Sequence, residues 1–198
     1  MKKSSEIIIL FLSDILLAAF AVAGSTHLIR FIECFRAADQ LPFVSEYPVM
    51  HVLVYGSSAD SGGDTVSARI SIMDTGGTEI SVIERSWNGT ALSVDFVSAS
   101  FSGKKILFPF RVYGSRLSEG TKLAPYYMEH GRCFLLDTDA SSSDLRNMYR
   151  LGRCVLSPAM RVFTRYTELY TVDLSGCTSG VYYTVYTGFD GRLFIKQD

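Results

Sequence analysis

The sequence predicts a mainly β protein. An N-terminal transmembrane or signal helix with an amphipathic stem precedes an antiparallel β-sandwich or barrel-like domain with one short helix. Three observations carry this. A positively led apolar run fills the first two dozen residues, strand-like alternation recurs from about Pro42 onward, and Gly-, Asn- and Asp-bearing turns punctuate it. The chain has 198 residues, 47% of them hydrophobic and 20% charged, which suits one core-forming domain plus a targeting segment. A net charge of −1 lacks the basic footprint of a nucleic-acid binder, so no such partner is expected.

Lys2 and Lys3 lead the apolar run Ile7–Gly24, which Ser13 and Asp14 interrupt. Such a run rises ~27 Å as a helix, close to one hydrocarbon core. One reading is a signal anchor with a cytoplasmic N-terminus, as the lysines favour. The other is a cleaved signal peptide, with Ala21-Val22-Ala23 as the small-x-small pattern before Gly24. Leu28, Phe31, Ile32 and Phe35 recur at helical spacing. A helix continuing past Gly24 suits the anchor better. The expected organisation is 1–24 anchor or signal, 25–41 helical stem and 42–198 extracytoplasmic β domain. Asp14 costs ~3 kcal/mol at mid-membrane on insertion scales. It either meets a partner helix or stays neutral among flanking Ile and Leu.

Within the domain, Val66, Ala68, Ile70 and Ile72 alternate with Ser67, Arg69 and Ser71; Leu92, Val94 and Phe96 alternate with Ser93 and Asp95. Ile106, Phe108, Phe110 and Val112 form a third set, where Pro109 implies an edge strand or a bulge. Val181–Thr187 and Arg192–Ile195 flank a Gly188–Gly191 hairpin turn, and Val49–Tyr55 and Thr65–Met73 flank a loop over Gly56–Gly63. Ser141–Ser143 cap a helix through Leu145, Met148 and Tyr149, with Gly152 as its stop.

Asp74-Thr75-Gly76 resembles the active-site triplet of aspartic proteases, in which two such loops share a proton between two carboxylates. The chain has one triplet, so that chemistry would require a homodimer. Matched strands on either side read instead as a tight hairpin, with Asp for local hydrogen bonds and Gly for positive φ. Asp60-Ser61-Gly62-Gly63 resembles the nucleophile loop of trypsin-like proteases. Only His27 and His51 precede it, with no room for the upstream barrel, so a hairpin loop is expected.

Cys34, Cys133, Cys154 and Cys177 allow three full pairings; the single bridge expected is Cys133–Cys154 or Cys154–Cys177. His130 with Cys133, Cys154 and Cys177 has the ligand types of a zinc site but the spacing of one on one side only. Neighbouring tyrosines such as Tyr126-Tyr127 and Tyr182-Tyr183 point to opposite strand faces, so one of each pair is expected at a surface. Asn88-Gly89-Thr90 reads as a turn that also matches a glycosylation sequon. No catalytic, cofactor or metal residues are assigned. The expected function is a noncatalytic structural or protein-interaction component of the cell envelope, tethered to the membrane. The alternatives are a hydrolase using Asp74 and a secreted ligand-binding protein using the tyrosines.

Overall fold

The computed structural model describes residues 2–41, 46–60, 63–101, 103–116, 120–158, 167–188 and 191–198. The protein is mainly β, with antiparallel sheets, an apolar N-terminal helix and one further helix. Helix α1 (Lys2–Gln40) leads into β1 (Tyr47–Asp60), β2 (Gly63–Met73), β3 (Glu79–Asn88), β4 (Leu92–Phe101) and β5 (Lys104–Gly114). Short strands β6 (Thr121–Lys122), β7 (Met128–Glu129) and β8 (Arg132–Cys133) precede α2 (Ser142–Val155). Strands β9 (Thr167–Asp173), β10 (Tyr182–Thr187) and β11 (Leu193–Gln197) complete the chain. One sheet has the order β11-β10-β1-β2-β3, a second β6-β5-β4-β9, and β7 and β8 pair alone.

Both large sheets feed one hydrophobic cluster. Val52 and Val54 of β1, Val66 to Ile72 of β2 and Ile83 and Trp87 of β3 join Val94, Phe96 and Phe108 of the second sheet. Trp87 Nε1 donates to Thr121 Oγ1 at 3.0 Å, which satisfies the indole N–H where the two sheets meet. Strand β4 is central in its sheet and buried on both faces, because α1 and α2 cover the face opposite the first sheet. Phe101 stacks edge-on against Phe35 of α1, and Phe108 lies against Gly152 of α2.

Several elements differ from the sequence expectation, each for a local reason. The loop expected over Gly56–Gly63 is mostly strand, since pairing runs out to Asp60↔Gly63. A bulge after Val54 leaves Tyr55 unpaired and resets the register at Gly56, so the hairpin extends past the point where alternation fails. Ser61 and Gly62 lie outside the described residues. Pro109 does sit beside a bulge: Phe96 pairs with Pro109 and Asp95 with Arg111, which leaves Phe110 out. Gly152 does not stop α2, which continues to Val155. A Cβ there would come within 3.0 Å of Phe108 Cε1 and 3.1 Å of Met128 Cε, so this glycine serves close packing. Ser141 caps the helix as expected, accepting from the Asp144 N–H. Asp95, expected on the watery face, is fully buried. Arg111 Nε and Thr171 Oγ1 each donate to it at 2.7 Å, and Tyr113 Oη at 3.2 Å.

The stem uses a different helix face from the one its periodicity suggested. Phe31, Cys34, Phe35, Ala37 and Ala38 pack on the domain, while Leu28 and Ile32 stay exposed. The cysteine expectation is also corrected: the bridge is Cys34–Cys154, with Cys133 and Cys177 free. Nearness in sequence favoured the last three cysteines. The fold instead lays the stem beside α2 and brings together residues 120 apart.

Candidate functional site

Two places concentrate polar or covalent chemistry: a cleft beside the Asp74 hairpin and the junction between α1 and the domain.

The β2–β3 hairpin turns at Asp74-Thr75-Gly76-Gly77. Asp74 N–H donates to Thr78 O at 2.9 Å, and Gly77 takes φ +84°, where a Cβ would be strained. Asp74 Oδ1 accepts the N–H of Gly76 at 2.9 Å and of Thr78 at 2.7 Å. Its Oδ2 lies 3.3 Å from Thr138 Oγ1. The carboxylate is buried and holds the turn, as the hairpin reading expected. Thr75 N–H donates to Leu135 O at 3.0 Å, which ties the hairpin tip to the segment before α2.

Residues on either side of that tie line a cleft of about 500 Å³. Ile80, Tyr126, Met128, Phe134 and Leu145 give it apolar surface, and Asp74, Glu79, Glu129 and Asp137 give it four carboxylates. No Lys, Arg, His, Ser or Cys lines it. Two of the acids have basic neighbours outside the lining: Arg69 lies 3.7 Å from Glu79, and His130 Nδ1 3.2 Å from Glu129. Asp74 is occupied by the turn. The aliphatic hydroxyl on this lining is that of Thr138, and the Asp74 carboxylate beside it is held by the N–H groups of its own turn. An apolar floor ringed by carboxylates suits a cationic group with some hydrocarbon.

The other sequence-level candidates do not assemble. Cys154 is in the disulfide, which removes one ligand from the His130–Cys133–Cys154–Cys177 set. Among the described residues, no group of three or more His, Cys, Asp and Glu is arranged to hold a metal. Burial pushes the Cys133 thiol up to about 12, which makes it inert at neutral pH. Tyr126 and Tyr127 do divide, Tyr127 buried with its hydroxyl on Pro109 O and Tyr126 lining the cleft, but at the end of a 3-10 turn (Ala124–Tyr126) and not on a strand as expected. Tyr182 and Tyr55 are both exposed, Tyr55 donating to Glu84.

The α1 junction is fixed by three independent contacts. Cys34 is bonded to Cys154, and Asn147 Nδ2 of α2 donates to Gln40 Oε1 at 2.8 Å. Lys104 Nζ, at the start of β5, donates to the carbonyls of Ala38, Asp39 and Leu41 at 3.2, 2.9 and 2.7 Å. These lie at the C-terminus of α1, where carbonyls lack helical partners and the dipole is negative. A lysine from another element thus caps the helix. Sequence reasoning missed it, because Lys104 reads as an ordinary charge at the head of a strand.

No protein-family model, curated protein or solved structure matches the chain.

Proposed function

We propose that this protein is a membrane-tethered β-sandwich outside the cytoplasm, acting without catalysis as a structural or protein-interaction component of the envelope. The Cys34–Cys154 disulfide carries the reading. It belongs in an oxidising compartment, and it locks the end of an apolar helix to the domain that follows. Below the junction, α1 exposes Ile15, Leu16, Leu17, Val22, Leu28, Ile29 and Ile32. The helix is long and apolar enough to cross a membrane or to serve as a signal sequence. The N-terminal Lys2 and Lys3 are nearly balanced by Arg30 and Arg36 beyond the run, so charge alone sets no orientation. The disulfide favours one orientation, with the domain on the oxidising side and the N-terminus in the cytoplasm.

The test is fractionation of expressing cells with an alkaline carbonate wash, N-terminal sequencing, and maleimide-polymer labelling of thiols before and after reduction. The expected result is a carbonate-resistant chain that keeps Ile7–Gly24 and gains two labelled thiols on reduction. A soluble chain starting at Gly24 would replace the anchor by export. Four labelled thiols without reduction would place the domain in a reducing compartment and defeat the reading.

The acidic cleft favours a second reading, a binding protein for a ligand with a cationic head and an apolar stem. Titration with a short lysine- and arginine-containing peptide checks it. Saturable binding weakened several-fold by Glu79→Gln with Asp137→Asn supports this reading, and unchanged affinity removes it.

A further inference from the structure

We infer that an arginine stripe on α2 binds anionic lipid headgroups where α1 leaves the bilayer; this rests on the membrane-anchor reading above. Arg146, Arg150 and Arg153 recur at i, i+4 and i+7, so they share one side of α2, and all three are exposed. The opposite side, with Asn147, Met148, Leu151 and Cys154, is buried against the domain and α1. Among the described residues no carboxylate pairs with any of the three; Arg153 lies over the Tyr149 ring at 6.0 Å.

Two contacts set the direction of α2. Asn147 meets Gln40 and Cys154 meets Cys34. Seven residues along α2 and six back along α1 rise about 10 and about 9 Å, so the helices run antiparallel side by side. The C-terminal end of α2 therefore points back toward the apolar part of α1. On α1 the exposed residues change character at this level. Leu28, Ile29 and Ile32 are apolar, whereas Glu33, Arg36, Asp39 and Gln40 are polar. The polar boundary falls over Arg30 to Arg36, within about 6 Å of the level of Cys34. Arg153, next to Cys154, thus stands at the headgroup level, and Arg150 follows one turn higher. No spacer separates bilayer from domain, because packing on the domain already begins at Phe31.

Arginine suits phosphate at that level, offering paired N–H donors in one plane and a charge that does not titrate. Each basic residue near an anionic surface contributes roughly fivefold in binding, falling off over about 10 Å.

The experiment reconstitutes the full chain in vesicles of phosphatidylcholine alone or with one part in three phosphatidylglycerol. Phenylglyoxal then modifies arginines, and peptide mass spectrometry reads each site, with exposed Arg116 as reference. The expected result is protection of Arg153 and Arg150 by roughly fivefold in anionic vesicles only, less at Arg146, and relieved by high salt. Flotation after a carbonate wash is read on the same samples. A floating chain with no protection, or with equal protection in neutral vesicles, overturns the headgroup site and leaves the anchor standing. A chain that fails to float defeats the anchor, and the headgroup site with it.

Discussion

At the scale of single residues, Asp74 is where a catalytic and a structural reading make opposite forecasts. Its Oδ1 accepts two backbone N–H groups of its own turn. Asp74→Asn keeps an oxygen acceptor and loses the charge, whereas Asp74→Ala leaves both donors without their acceptor in a part-buried turn. We expect Asp74→Ala to cost about 1–3 kcal/mol and Asp74→Asn less, because an unmade buried hydrogen bond costs more than a weakened one. Urea unfolding of both variants checks this order; equal midpoints for all three chains would show that the carboxylate does not hold the hairpin. Gly114 offers a second forecast. A Cβ there would stand 1.9 Å from the backbone carbonyl oxygen of Asn88, which cannot swing aside as a side chain would. Gly114→Ala should therefore cost about 1–3 kcal/mol or more through overpacking. At Gly103 the same change meets nothing within 4 Å, and its cost is confined to the backbone strain of φ +76°. Thermal unfolding of the two variants side by side separates clash from strain.

At the scale of elements, the junction of α1 with α2 depends on a bridge, a cap and a hydrogen bond. The bridge closes a loop of 120 residues. In the chain-entropy account such a closure is worth about 4–5 kcal/mol, an upper figure because the unbridged chain retains some order. Cys34→Ala with Cys154→Ala should lower the unfolding midpoint accordingly, and reductant should shift the wild type but not the double variant. Equal reductant sensitivity in both would mean the bridge is not formed. Lys104→Met should raise amide exchange over the last turn of α1 while leaving β2 protected. These two devices mark the limit of what the sequence reveals. Strand β2 is legible because buried and half-buried side chains alternate along much of it, and β4 because apolar and polar residues alternate in its sequence although both its faces are buried. The α2 start is legible because Ser141 is a local cap. The bridge and the Lys104 cap are not, since each joins residues 120 or about 65 positions apart, and no local pattern records such a meeting. The cleft is hidden for the same reason: the β2–β3 hairpin supplies Asp74 and Glu79, and the segment from Tyr126 to Leu145 supplies the rest. Asp74, Tyr126 and Tyr127 stood out in advance, Asp74 as the residue of a tight hairpin whose local hydrogen bonds the structure shows.

At the scale of the whole molecule, both sheets and both helices share one core, so a proton lost inside it is felt as global stability. Cys133, Tyr47 and Tyr127 pack there with raised pKa. Burial lifts the Cys133 thiol from an ordinary value near 9.0 to about 12, the Tyr47 phenol from 10.0 to about 12, and the Tyr127 phenol well above 10.0. Cys133 and Tyr127 are fully buried. A raised value in the fold means that the unfolded chain loses these protons first. The stability these neutral groups contribute is whole below about pH 9, and is lost as pH climbs through the unfolded values toward 12. Denaturant unfolding in a Cys177→Ser background, which removes the more accessible free thiol, should give a level plateau from pH 7 to 8.5. A fall should begin near pH 9 as unfolded Cys133 ionises and steepen above pH 10 as Tyr47 and Tyr127 join. Cys133→Ala should delay the onset to about pH 10. Absorbance near 295 nm should show a step of new tyrosinate appearing with unfolding. If stability stays level to pH 11 in both chains, the core admits the charged forms, and the burial of Cys133, Tyr47 and Tyr127 does not govern their protons.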